Sequence, residues 1–149
     1  QAQLRFPFSI TQDNFGNFYF TDQLNRRIRK IDNSSINNPI ISTIGGNGMN
    51  RIFTPDGNLA KNSSINSPNE IVFDNKRNCL FFIEFFQSGN FFYFIRKIDI
   101  QTNILSSIAG NSSFPPIFTS DGNFAKNSSL LQVQFLTIDE KNAFLYFFE

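Results

Sequence analysis

The chain has 149 residues, 40% of them hydrophobic and 17% charged, with 13 basic against 12 acidic side chains. That length and apolar content suit a globular protein with a sizeable core and exclude a disordered segment. A net charge of +1 supplies no field to draw in nucleic acid or an anionic membrane, and no apolar run reaches the roughly 18 residues a spanning helix needs.

In chain order, Ser9-Ile-Thr11 is the first strand-like segment, and Asp13-Asn-Phe-Gly-Asn17 reverses it. Phe18-Tyr-Phe-Thr21 follows, then a turn at Asp22-Gln-Leu-Asn25, then Arg27-Ile-Arg-Lys-Ile31 and Ile40-Ile-Ser-Thr-Ile44. The connections are too short for helical crossovers, so neighbouring strands are expected to run antiparallel. The stretch Thr54 to Ser64 then returns as Thr119 to Ser129 with nine of eleven positions identical, which sets a repeat of about 60–65 residues.

The second unit carries Ile71-Val-Phe73, Leu80-Phe-Phe-Ile83, Ile95-Arg-Lys-Ile98 and Ile104 to Ala109. A third begins with Phe135-Leu-Thr-Ile138 and Phe144-Leu-Tyr-Phe-Phe148. The second strand of each unit is apolar throughout, as for a central strand buried on both faces, and the first strands suit an inner position. Asp22, Glu84 and Glu149 close those second strands in one register.

Four-stranded antiparallel units repeating through a long connector predict an all-β fold, a partial β-propeller. The expected divisions are a first blade at about 8–44, a connector at 45–68, a second blade at about 69–109, a connector at 110–133 and the start of a third blade at 134–149. Such a chain reads as a piece of a larger propeller, so its expected partners are the remaining blades or a separate protein.

The segment from Asn17 through Asp22, Asn25 and Arg27 to Ile31 resembles the NHL-repeat β-propeller family, whose pattern is an apolar strand followed by Asp-x-x-Asn-x-Arg-Ile-Arg-Lys. The Gly-rich segment at 44–48 and the Asp-Gly-x-x-Ala connector at 56–68 are similar to a long-loop variant of that family, and Ala2 to Pro7 resembles the tail of a preceding connector. The resemblance implies a ring of about six blades. It also implies a turn link formed by Asp22, Asn25 and Arg27 within the first blade. In the second blade Glu84 stands where Asp22 does and Phe94 where Arg27 does.

The chain has no histidine and one cysteine, Cys79, so it offers no Ser-His-Asp or Cys-His arrangement, no imidazole metal site and no intrachain disulfide. No catalytic, cofactor-binding or metal-ligating residue is assigned. Cys79 is expected to be a buried, inert thiol, and the Arg26–Lys30 cluster a solvated strand face. Asp56-Gly57 and Asp121-Gly122 are expected to be plain turns with Ala60 and Ala125 tucked beneath. Glu84 and Glu149 are expected to be structural, since strand-end carboxylates that close an apolar run rarely act as an acid–base pair.

Phe85 to Phe94 is about five residues longer than its counterpart in the first unit. Its Phe85, Phe86, Phe91, Phe92 and Tyr93 form either a loop for a protein partner or an extended strand pair packed into the sheet. The expected function is a non-catalytic propeller scaffold for protein or ligand binding. The alternative is part of a propeller hydrolase or lactonase with metal ligands in other blades. RNA binding is disfavoured by the charge balance.

Overall fold

A computed structural model describes residues 3–34, 37–49, 52–88, 90–111 and 124–148. The first sheet is β1 (Pro7–Gln12), β2 (Phe18–Asp22), β3 (Arg27–Asp32) and β4 (Ile40–Gly45), hydrogen-bonded in that order. The second repeats it with β5 (Pro68–Asp74), β6 (Cys79–Ser88), β7 (Asn90–Asp99) and β8 (Leu105–Ala109). A two-stranded sheet of β9 (Phe135–Asp139) and β10 (Phe144–Phe148) follows. Every pairing is antiparallel, as the short connections require.

The all-β fold of partial propeller blades is therefore present, with no closed barrel among the described residues. The blades share their irregularities as well as their order. Pro7 pairs with Asp22 and Pro68 with Glu84, and each pairing is followed by a register shift before Ile10 or Ile71. Phe6 and Ser67, the residues before those prolines, both take a positive φ. The described part of each connector includes a 3-10 turn, Ala60–Asn62 and Ala125–Asn127, where Lys and Asn follow an alanine.

Alternation along the strands sends successive side chains to opposite faces, so each blade has two faces to bury. One core lies between the first and second sheets and includes Tyr19, Ile28, Ile71, Leu80, Phe82 and Ile98. The other lies between the second and third sheets and includes Phe81, Ile83, Ile95, Leu130, Val133 and Leu136. The central strand β6 feeds both, which is why its sequence is apolar without alternation. The inner strand β5 packs against β1, β2 and β9.

Polar side chains bind one blade to the next. Ile71 N–H donates to Ser9 Oγ (3.3 Å) and Phe73 N–H to Thr11 Oγ1 (3.2 Å), so hydroxyls of β1 cover the open edge of β5. Ser9 Oγ in turn donates to Glu70 at 3.1 Å. At the hairpin turns, Asn14 N–H donates to Asn75 Oδ1 (2.7 Å) and Asn75 N–H to Glu140 Oε1 (3.0 Å), the same clasp in two consecutive blades.

The connector covers the outer edge. Gly57 N–H donates to Leu105 O, Leu105 N–H to Asn58 O and Ala60 N–H to Asn103 O, all within 2.8–2.9 Å, so residues 57–60 run along β8. Ala60 is fully buried there, but Ala125 is exposed, which corrects the expectation for the second copy. Ala60 lies in the core between two four-stranded sheets, whereas the described third blade has only β9 and β10. Asp121 and Gly122 lie outside the described residues, as does Glu149.

Candidate functional site: strand-end anchors and an aromatic ribbon

Asp22 sits at the end of β2 and is fully buried. Its carboxylate accepts from Arg5 N–H at 2.8 Å, from Asn25 Nδ2 at 2.9 and 3.0 Å, and from Arg29 Nε at 3.0 Å. Arg26 takes the left-handed conformation that ends the Gln23–Asn25 turn, and this brings Asn25 back over Asp22. The Asp22–Asn25 link is thus present, but Arg29 and not Arg27 completes it.

Arg27 pairs directly opposite Asp22, yet its guanidinium points to the connector, 3.4 Å from Asn47 O. Arg29 is two residues further along β3 on the same face, where the longer reach places Nε on the carboxylate and Nη1 2.7 Å from Thr43 Oγ1. The anchor therefore ties three elements together: the strand end, the neighbouring strand and the segment before β1.

The second blade has the same device in a drier form. Glu84 pairs with Phe94, and Arg96 occupies the position that Arg29 has in blade one. Both Glu84 and Arg96 are completely buried, with Arg96 Nη1 3.7 Å from Glu84 Oε2. Asn66 N–H donates to Glu84 Oε1 at 2.8 Å, as Arg5 N–H does to Asp22, and Arg96 Nη2 donates to Thr54 O at 2.9 Å. The Arg96 guanidinium lies 4.8 Å from the centre of the Phe53 ring.

Among the described residues Glu84 Oε2 and Arg96 Nε and Nη1 have no hydrogen-bond partner. Burial drives the Glu84 carboxyl above its ordinary range; Arg96 and Asn66 pull it down without cancelling that rise. Burial likewise lowers Arg96, against the pull of Glu84 and Asp56. Both shifts run against charge, so desolvation outweighs attraction in this pair.

The segment Phe85–Phe94 is an extended hairpin and not a loop. The β6–β7 ladder continues in register from Cys79↔Asp99 to Ser88↔Asn90. Phe86, Phe92 and Phe94 are buried on one face, with the half-buried Phe53 packed against them. On the other face Phe85 stacks on Phe91 at 5.7 Å and meets Tyr93 at 5.0 Å. Tyr93 bridges to Leu130 of the second connector, and Phe91 is 63% exposed, leaving one aromatic ring presented to solvent. Of the five aromatic residues singled out, two are internal, two are half-buried and one is open.

One further group carries more than the sequence suggests. Asp56 accepts from Ser107 N–H (2.6 Å) and Ser107 Oγ (2.9 Å), and it pairs with Lys126 of the next connector at 3.0 Å. Burial pushes its carboxyl up, but Lys126 and Ser107 together outweigh that and hold it below the usual value. The expected plain turn is thus a fastener on β8. Cys79 is buried, and burial with the nearby Asp74 raises its thiol to about 11, as an inert thiol requires. Among the described residues no group of three or more His, Cys, Asp or Glu side chains could hold a metal ion. No described helix is long and apolar enough to cross a membrane.

Repeated four-stranded antiparallel sheets, packed face to face through their inner strands, define a class: blade-type all-β repeat proteins. A solved structure shares this arrangement. It is a structural genomics protein of unknown function from Bacteroides thetaiotaomicron VPI-5482, with a TM-score of 0.65 and 16% identity. The match covers 91% of this chain and 31% of that one, so this chain spans about a third of its neighbour's length. No protein family matches the sequence, and no curated protein does.

Proposed function

We propose that this chain is a non-catalytic segment of an NHL-type β-propeller that serves as a rigid scaffold for binding a protein or ligand. The observation that carries the proposal is the use made of the strand-end carboxylates. Asp22 is filled by Arg5, Asn25 and Arg29, and Glu84 is enclosed with Arg96 and Asn66. Both groups hold connectors in place, and neither faces a space where substrate could sit. The NHL assignment is supported by the motif between Asn17 and Ile31, whose Asp and Asn meet at the turn.

The binding part rests on the β6–β7 ribbon, which projects beyond the strand ends of blade one and offers Phe91 on a braced aromatic stack. A peptide library displayed on phage and selected on the wild-type chain provides the test. Selected peptides should lose at least about tenfold in affinity to Phe91→Asp, the scale expected for removing an aromatic anchor. Equal binding to both proteins would refute the ribbon as the binding element. Hydrolysis of model esters or lactones that disappears in Glu84→Gln would refute the non-catalytic reading.

A further inference from the structure

The two copies of the connector separate residues that the fold uses from one that it does not. Thr54 to Ser64 and Thr119 to Ser129 share nine of eleven residues, although the neighbouring blades differ where Asp22 faces Arg27 and Glu84 faces Phe94. The shared residues other than Asn62 each have a structural use. Thr54 accepts from Arg96 through its carbonyl and from Ser64 N–H through Oγ1 (2.8 Å), and Ser64 Oγ donates to Met49 O at 2.9 Å. Asp56 holds Ser107, and Ser63 Oγ donates to Leu59 O at 2.8 Å. Gly57 takes a positive φ, and Ala60 is fully buried. Asn58 Nδ2 donates to Pro55 O at 3.1 Å, and Lys126 shows the use of Lys61 by pairing with Asp56 of the connector before it.

Asn62 is the exception. It is exposed, and its main chain makes the hydrogen bonds: its N–H donates to Leu59 O at 3.0 Å and its carbonyl accepts from Asn47 Nδ2 at 2.9 Å. Its side-chain amide bonds to no described residue. Asn127 repeats the arrangement, exposed, with its N–H on Phe124 O and its carbonyl accepting from Asn111 Nδ2. In both copies two serines follow, so each asparagine heads an Asn-x-Ser acceptor sequence.

We propose that Asn62 and Asn127 carry N-linked glycans. Nδ2 attacks the first sugar carbon of an oligosaccharide joined to a lipid pyrophosphate. The carbon–oxygen bond to the pyrophosphate breaks, a carbon–nitrogen bond forms, and the amide gives up one proton. Ser64 is only 3% exposed and its hydroxyl is engaged by Met49, so the acceptor is read on the unfolded chain before the connector docks. The fold then decides which asparagines can keep a bulky group. Asn62 lies between two complete blades, on the connector that binds Gly46 at the end of β4 and runs along β8, and it is exposed there. Two other asparagines head the same sequence and are spoken for. Asn33 Nδ2 packs onto Gly16, 2.6 Å from where a Cβ would stand, and Asn111 Nδ2 is engaged by Asn127 O at 3.4 Å. The inference is independent of what the ribbon binds.

Peptide mapping tests it on the chain purified from its own cells. A peptide N-glycosidase acting in heavy-oxygen water turns each glycosylated asparagine into a labelled aspartate. Label is expected at Asn62 and Asn127; an unlabelled Asn62 or Asn127, or label at Asn33 or Asn111, overturns the proposal. Variants are compared as chains secreted from eukaryotic cells behind a cleavable signal sequence. Asn62→Gln should lose one glycan by gel mobility, Ser64→Thr should keep it, and Ser64→Ala should lose it with Asn62 intact. A glycan that survives Asn62→Gln or Ser64→Ala refutes the assignment, and if Ser64→Ala does not fold, Asn62→Gln reads the same site. Made in bacteria without glycans, Asn62→Gln should keep the urea midpoint of wild type, because the fold makes no use of the amide. A lowered midpoint would show the amide to be structural and overturn the reasoning that singles out Asn62.

Discussion

Replacing Arg96 by methionine probes the buried anchor of the second blade most directly. The change keeps a long unbranched chain but removes the cation paired with Glu84, the hydrogen bond to Thr54 O and the contact with Phe53. Breaking a buried pair by removing one partner costs about 3–5 kcal/mol, because the other charge is left without compensation. In a chain of this size 1 kcal/mol moves Tm by about 2–4 °C, so a loss of about 6–20 °C is expected at pH 7. Glu84 already sits above the ordinary carboxylate range, and removing Arg96 raises it further. A carboxyl raised in the folded state contributes stability that is complete below its unfolded-state pKa and is lost as pH rises through the folded value. The Arg96→Met deficit should therefore shrink in acid, where Glu84 is protonated, and grow toward neutral pH. The double variant Glu84→Gln/Arg96→Met removes both charges while an amide oxygen remains for Asn66, so it should stay within about 1.5 kcal/mol of wild type. Urea unfolding of the four proteins at acid and neutral pH supplies the cycle. A deficit independent of pH, or a double variant as unstable as the single one, would refute the claim that desolvation governs this pair.

Gly46 and Gly110 hold equivalent positions after β4 and β8, each with a positive φ and each placed so that a Cβ would strike a backbone carbonyl, of Arg26 or Tyr93. Gly46→Ala should cost about 2–4 kcal/mol in urea unfolding, combining left-handed strain with the clash. Asp56→Ala leaves the Ser107 N–H without its acceptor and should cost about 1–3 kcal/mol. Asp56 is held below its ordinary value, so its contribution is present at neutral pH and lost as pH falls through the folded value; the gap between Asp56→Ala and wild type should narrow in acid. Cys79 should resist alkylation at pH 8 in the folded chain and react only once urea unfolds it, which a mass-spectrometric time course would show.

The strand order was legible because apolar runs alternate with Gly- and Asn-rich reversals, and short connections leave antiparallel pairing as the simplest solution. The duplicated connector revealed the repeat, and the continuous apolar character of Leu80 to Ile83 announced burial on both faces. Arg29 was missed because spacing within one motif does not say which of two arginines on the same strand face reaches back to Asp22. Arg96 gave even less sign: the Glu84–Arg96 pair depends on the register of β6 with β7, which the lengthened hairpin concealed. The clasp from Asn14 through Asn75 to Glu140 was equally hidden, since Asn and Glu share only an acceptor oxygen at the corresponding atom.

The two anchors differ in dryness, and the hairpin explains why. In blade one the chain reverses directly after Asp22, so Arg29 keeps a partly exposed side chain and water shares in its solvation. In blade two the ladder runs on past Glu84, and Phe86, Phe92 and Phe94 close with Phe53 over the same position. The added aromatic residues therefore do two things at once. They build the ribbon that presents Phe91, and they take the ion pair at its base out of water. Removing charge there relieves a desolvation penalty but also frees the connector held by Thr54 and Asn66. The carboxylate and the guanidinium each grip a different point of the crossing chain, at Asn66 and at Thr54. The proposed binding role draws on that bracing: a side chain already held in place loses less conformational freedom when a partner covers it.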